Sequence, residues 1–182
     1  MGIYKEIPEE TMGEGYTKND LLFFPVLDWK SDIDKIKPVS SYFTKRGHRV
    51  FCFDTRDKNS SNMEDISDRL KIVNLNYNRL FYVDEIIKQN IIKNSILFVQ
   101  DPSWFRLINY LKTKYNFKVI FNYLDELLMN NNIFKIIRIS DIIITFSQAS
   151  LNKVKEKNNK VIMINNDDLS RYVRGISKLI YS

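Results

Sequence analysis

From residue 21 onward the chain alternates short apolar runs with segments whose apolar positions recur at helical spacing. The runs are 21-LLFFPVL-27, 49-RVFCFD-54, 70-LKIVNLN-76, 95-SILFVQ-100, 118-KVIFNYL-124, 141-DIIITFS-147 and 160-KVIMINN-166. Most lack strict two-residue alternation, as expected of strands buried on both faces of a parallel sheet. Between them, Leu80, Val83, Ile86 and Ile87 recur on one helical face, as do Trp104, Leu107, Ile108 and Leu111. A last segment, 167–182, opens on Asp167 and Asp168, a good helix start, and carries Leu169, Val173, Ile176 and Ile180 on one face.

Six or seven such alternations predict an α/β fold: a doubly wound, mostly parallel sheet of six to seven strands with helices on both faces and the first strand central. Residues 20–182 read as a single domain, and residues 1–19 as a polar leader or a linker from a longer protein. The patch 130-NNN-132 reads as a helix interruption or a surface loop.

In such sheets ligands gather beyond the carboxyl ends of the strands, near the point where strand order reverses. The first of these ends carries 28-DWKSDIDKIKP-38. Pro38 suits the first turn of a helix, so the helix is expected to start near 37–38 and the segment from Asp28 to Lys37 to be loop. That exceeds the roughly 2–6 residues of ordinary strand-to-helix connections. Trp29 offers either a lid on the sheet edge or a stacking surface for a ring. Lys30, Lys35 and Lys37, beside exposed helix amides, suit a phosphate or a carboxylated sugar. The other ends are 54-DTRDKNSSN-62, read as a polar, mobile loop, then 101-DPSW-104, 122-NYLDE-126, 147-SQAS-150 and 165-NNDD-168. Asp101, Ser147 and Asp167 serve equally well as helix caps.

Composition narrows the chemistry. With 182 residues, 44% hydrophobic and 27% charged, the chain suits one globular domain. No apolar stretch reaches the roughly 20 residues that span a bilayer. The first twenty residues are acidic and lack an apolar core, so they do not form a signal peptide, and a cytoplasmic location is expected. Cys52, the one cysteine, lies in an apolar run and reads as a buried, inert thiol. With one Cys and one His only a carboxylate metal site is open, so neither a metal nor another cofactor is expected. His48 follows Gly47 at a helix-to-strand junction, the wrong end of the sheet for a catalytic base.

The net charge of +6 favours acidic partners. Its scatter over several helices reads as solvated faces, although 112-KTKYNFK-118 and 153-KVKEKNNK-160 are candidates for touching an anionic membrane surface. With no reading element and no clustered Arg face, nucleic acid is not an expected partner. The dinucleotide G-x-G-x-x-G, the P-loop and the G-x-S-x-G elbow are all missing. A phospho-receiver needs a Lys at the carboxyl end of the fifth strand, where 118-KVIFNYL-124 has none, and a flavodoxin-like protein would purify yellow.

Taken in order, the Trp loop, Lys37-Pro38 and 45-KRGHRV-50 resemble the amino-terminal, Rossmann-like domain of retaining GT-B glycosyltransferases. The stretch 119-VIFNYLDE-126 is similar to that family's fifth-strand segment, with Asp125 at the acidic place. The passage 140–167 is similar to the one that ends the domain, through Asp141, Ser147, Leu151 and Asn165. Asn166 stands where the family has Gly, Ile164 where it has Pro, and Lys37 where it has Arg. The resemblance covers roughly residues 20–168 and implies the acceptor-side half of an enzyme of bacterial envelope or glycan synthesis. Such an enzyme moves a sugar from a nucleotide-sugar to a glycan, lipid-linked or protein acceptor, and it needs a second Rossmann-like domain to hold the donor. Asp28, Trp29, Lys30, Lys37, Asp101, Asp125, Glu126, Ser147 and Asn165 would contact substrate. No catalytic base is implied, because retaining enzymes of this kind rely on the donor's own geometry. The alternative is a stand-alone, non-catalytic module that binds a sugar or another small molecule.

Overall fold

The computed structural model describes residues 19–26, 33–54, 62–75, 79–124, 130–164 and 169–181. The seven apolar runs become β1 (Leu21–Phe24), β2 (Val50–Asp54), β4 (Leu70–Asn74), β5 (Ile96–Val99), β6 (Lys118–Asn122), β7 (Ile142–Thr145) and β8 (Val161–Met163). An eighth strand, β3 (Asn62–Ser67), lies between β2 and β4 in the chain. The helices are α1 (Ile33–Lys45), α2 (Arg79–Gln89), α3 (Phe105–Tyr115), α4 (Asn131–Ile139), α5 (Gln148–Lys155) and α6 (Leu169–Tyr181).

All eight strands join one sheet in the order β3-β4-β2-β1-β5-β6-β7-β8. Every pairing is parallel except that of β3 with β4. The chain steps outward from β1 to β2 and β4, then returns to lay β5 on the other side of β1. Strand order therefore reverses between β1 and β5. The fold is Rossmann-like, with β1 central as its sequence predicts.

Successive strand residues point to opposite faces, and each face has its own core. Leu22, Phe24, Phe51, Phe53, Leu97, Val99, Val119 and Phe121 pack with the apolar faces of α2, α3, α4 and α5. Leu21, Phe23, Val50, Cys52, Ile96, Phe98, Ile120 and Ile144 pack with Val39 and Phe43 of α1 and Tyr172 and Ile176 of α6. Aromatic stacking fixes the centre: the Phe24 and Phe53 rings lie 4.6 Å apart and nearly parallel. On the other face Phe23 meets Phe98 edge-on at 5.1 Å. The docking of α6 is close, since a Cβ on Gly175 would lie 2.7 Å from Cδ1 of Ile164. Lys118 Nζ donates to the Leu179 carbonyl at 3.1 Å and ties the end of α6 to the start of β6.

Three expectations change. The polar stretch 62-NMEDIS-67 forms an edge strand, not part of a loop. Its side chains are exposed or half-buried, so no apolar run announced it, and polar cross-strand pairs hold it to β4. Asn74 Nδ2 donates to Asn62 Oδ1 at 2.6 Å, and Lys71 Nζ to Asp65 Oδ1 at 2.5 Å. Next, α1 begins at Ile33, so Lys37 and Pro38 lie inside the helix and the preceding loop is shorter than expected. Ile33, Ile36, Ser40 and Phe43 keep helical spacing through the proline, and that period outweighs the one backbone bond Pro38 cannot donate. Finally, Asn130 is the N-cap of α4, its Oδ1 accepting from the amides of Asn132 and Ile133 at 2.9 and 3.0 Å, so the Asn patch starts a helix. Residues 1–18 of the expected leader and residues 55–61 lie outside the described residues. Among those described, no helix is long and apolar enough to cross a membrane.

Candidate functional site

Four inner strands close an apolar run with one polar residue: Asp54 on β2, Asn74 on β4, Asn122 on β6 and Thr145 on β7. Because the strands are parallel, these residues gather along one edge of the sheet, its carboxyl-terminal pole. At the point of reversal the amides of Gln100 and Asp101 both donate to the Phe24 carbonyl, at 2.9 and 3.4 Å. That stitches the end of β1 to the start of the segment after β5.

Asn122 is 1% exposed. Its Nδ2 donates to the Tyr172 hydroxyl of α6 at 3.0 Å, while its Oδ1 has no hydrogen-bond partner among the described residues. Tyr172 also meets Phe146 edge-on, with ring centroids 5.6 Å apart. Thr145 is fully buried, and its Oγ1 likewise lacks a partner. An unpaired buried polar atom costs about 1–3 kcal/mol; among the described residues Ser40 Oγ, Asn122 Oδ1 and Thr145 Oγ1 are in that state, the last two at the carboxyl-terminal pole. They face opposite sides of the sheet: Asn122 shares the side of Ile120, and Thr145 that of Ile143.

Of the nine residues singled out in the sequence, Lys37, Asp101 and Ser147 are described. Asp101 accepts from the Ser103 amide at 2.8 Å and from the Ser103 hydroxyl at 2.6 Å, capping the 3-10 turn Pro102–Trp104. Ser147 Oγ accepts from the Ser150 amide at 3.2 Å and caps α5. Both therefore stand at the carboxyl-terminal pole and act as caps there. Lys37 lies half-buried within α1. Asp28, Trp29, Lys30, Asp125, Glu126 and Asn165 lie outside the described residues. The sequence reading passed over Asn122, Thr145 and Asp54 as site residues. The signal was one polar side chain at the end of each apolar run.

The amino-terminal pole contrasts in its chemistry. Arg49 clamps Asp20 with Nε and Nη2 at 2.7 and 2.6 Å and donates from Nη1 to the Asn90 carbonyl at 2.8 Å. The hydrogen bond to Asp20 raises the guanidinium pKa against the opposing effect of burial. His48 is buried here, with Nδ1 2.8 Å from the Asn19 carbonyl and its ring edge-on to Phe43, so it braces the fold. Lys112 Nζ and the Val119 amide both donate to Asp141 Oδ2, at 2.6 and 2.8 Å.

On the flank, Asp84 of α2 accepts from Lys114 Nζ, Tyr110 and Tyr115 and pairs with Lys88 at 3.0 Å. Burial pushes its carboxyl up, but Lys114, Tyr115, Lys88 and Tyr110 together prevail and hold it well below the usual carboxylate range. Burial, helped by Asp54, pushes the Cys52 thiol far above its usual range, which leaves it inert as expected. Among the described residues no group of three His, Cys, Asp or Glu side chains could hold a metal ion.

No protein-family profile and no curated protein matches this chain. Solved structures do. A chain of sucrose-phosphate synthase from Thermosynechococcus elongatus superposes with a TM-score of 0.63 at 10% identity, covering 90% of this chain and 97% of that one. A longer chain of the same synthase superposes with a TM-score of 0.59 at 9% identity, covering 81% of this chain and 48% of its own length. The shared property is the fold. It is a Rossmann-like fold, and the present chain spans about half of the longer synthase chain.

Proposed function

We propose that this chain is the acceptor-side half of a GT-B-type glycosyltransferase. It holds a glycan, lipid-linked or protein acceptor at the carboxyl-terminal pole, and a second, nucleotide-binding domain presents the nucleotide-sugar. The observation that carries this reading is the row of polar residues closing the inner strands, with the oxygens of Asn122 and Thr145 left without partners. Hydroxyl-rich ligands supply the donors such oxygens lack. Asp28, Trp29 and Lys30 follow β1 in sequence, Asp125 and Glu126 follow β6, and Asn165 follows β8, so the same pole draws on them for stacking and for hydroxyl contacts. The half contributes position, not a proton relay: retaining transfer of this type asks its acceptor domain to hold a hydroxyl beside the anomeric carbon on the leaving-group face of the donor. Isothermal titration with simple glycans and with nucleotide-sugars tests the assignment. Acceptor sugars are expected to bind more tightly than any nucleotide-sugar, and the reverse order contradicts it.

One observation favours a second reading, that of a stand-alone, non-catalytic sugar-binding module. Helices pack on both faces of the sheet without help from another domain. Mixing the chain with separately produced donor-binding domains separates the two: sugar transfer supports the enzyme half, whereas saturable sugar binding without transfer supports the module.

A further inference from the structure

The fold gathers part of the positive charge that is scattered in the sequence. Each of the six helices carries Lys or Arg in its last turn, from Lys45 in α1 to Lys178 in α6. Helices that connect parallel strands end where the next strand begins, so these cations collect at the amino-terminal pole. Part of this only complements the helix dipoles. Within the pole, however, lies a depression of about 570 Å³ lined by Asn19, Asp20, Gly47, Arg49, Asp68, Arg69, Ile91, Lys93 and Asn94.

Its charges are unevenly used. Asp20 is closed by the Arg49 clamp. Of the five N–H donors of Arg49, three are engaged, which leaves two. The side chains of Arg69 and Lys93 have no hydrogen bond or ion pair among the described residues, and Asp68 is the one carboxylate that offsets them.

The wall carries a second, independent sign. Helices α1 and α2 end with the same pair of bonds. His48 N donates to Phe43 O and Gly47 N to Thr44 O, just as Ile92 N donates to Ile87 O and Ile91 N to Lys88 O. That motif puts the residue after the helix cap at positive φ, where glycine is the ordinary choice. In α1 it is Gly47, at φ 90°; in α2 it is Ile91, at φ 50°. A β-branched residue there is strained. Ile91 is moreover 69% exposed, so burial returns little of that cost. Asn94, at φ 50°, turns the same loop again and sets Lys93 between two left-handed residues.

We propose that this depression seats a phosphate-type anion bearing an apolar group, with Arg69, Lys93 and the free N–H groups of Arg49 on the anion and Ile91 as the apolar wall. The seat stands at the pole opposite the acceptor edge and does not depend on the sugar-transfer reading. The anion comes either from a free phosphomonoester or from a lipid headgroup, which share a phosphoryl anion joined to an apolar group.

The test uses the full chain, titrated with inorganic phosphate and with phenyl phosphate while backbone amide shifts are followed. Saturable shifts at Arg69, Lys93 and Asn94 are expected, with phenyl phosphate the tighter ligand. In Arg69→Gln/Lys93→Gln, both affinities fall about tenfold, as expected when charge-assisted contacts are removed. In Ile91→Gly, a variant expected to be at least as stable, phenyl phosphate weakens to the level of inorganic phosphate. Phosphatidylcholine vesicles with and without phosphatidylglycerol identify the source. Binding to the anionic vesicles that phenyl phosphate competes away assigns a headgroup, and its absence beside tight phenyl phosphate binding assigns a free ester. The proposal is overturned if shifts do not saturate, if Lys153→Gln/Lys157→Gln on the same pole weakens phosphate as much, or if vesicle binding survives Arg69→Gln/Lys93→Gln.

Discussion

The two poles of the sheet are made from the same strands and treated in opposite ways. At the amino-terminal pole two carboxylates are closed by ion pairs: buried Asp20 by Arg49, and half-buried Asp141 by Lys112 and a backbone amide. At the carboxyl-terminal pole the strands end in polar side chains, and two of their oxygens have no partner. A chain selected for folding alone would satisfy both ends. On the proposed function, the first set of polar groups holds the molecule together and the second meets the acceptor. The difference predicts that substitutions in the closed ion pairs of the first pole register in stability, and those of the unpartnered polar residues at the second in sugar binding.

The largest effect is expected from Arg49→Ala. The Asp20 side chain is 9% exposed, and stripping its partner leaves a buried carboxylate unpaired, at a cost of about 3 kcal/mol. Urea unfolding measures it, and a loss below about 1 kcal/mol would mean the clamp is not structural.

The flank gives a control with a pH signature. The Asp84 carboxyl is held low, so it contributes stability above its ordinary pKa of about 4 and loses it as pH falls through the lowered range. Asp84→Asn should therefore cost about 2 kcal/mol at neutral pH, and the gap to the parent chain should narrow as the solution is acidified. A gap that is constant from pH 7 to about pH 2 contradicts the assignment of the charged form to this network.

Ile91→Gly sharpens the comparison from the other side. Relief of strain against the greater unfolded freedom of glycine predicts a gain of about 0.5–1 kcal/mol, seen as a higher melting temperature. A loss would show that Ile91 packs usefully in the folded state. The smallest effect belongs to Thr145→Val, which replaces an unpartnered hydroxyl with a methyl of the same shape. Stability should hold within about 0.5 kcal/mol while sugar affinity falls. A large destabilisation would mean that Oγ1 is paired in solution.

Much of this was legible in the residues. The apolar runs located seven strands because strands buried on both faces leave a continuous signal, and the central place of β1 followed from the alternation of elements. What escaped was polar or punctuated. β3 is exposed on both sides and is paired through Asn62 and Asp65, so it reads as loop. Pro38 looks like a helix start, although the spacing of Ile33 and Ile36 already belonged to α1. The site was legible as an edge, not as residues. Asp101 and Ser147 stand at that edge but cap the turns that follow them. Asn122 and Thr145 were overlooked because a single polar residue closing an apolar run resembles an ordinary strand end until its partners are counted. The concentration of charge could not be read at all, since it comes from six helix ends separated in the chain and brought together by parallel connections.

The most direct measurement is an amide-shift map of a simple glycan titrated into the parent chain and into Asn122→Leu, a substitution that removes the unpartnered oxygen and, with it, the Nδ2 bond to the Tyr172 hydroxyl, at a cost of about 1–2 kcal/mol. The account predicts saturable shifts confined to residues at the ends of β2, β4, β6 and β7, lost in the variant although it still folds cooperatively, with a stability loss of no more than about 2 kcal/mol. Shifts that cluster instead around Asp20, Arg49 and Lys93, or that persist unchanged in Asn122→Leu, would contradict it.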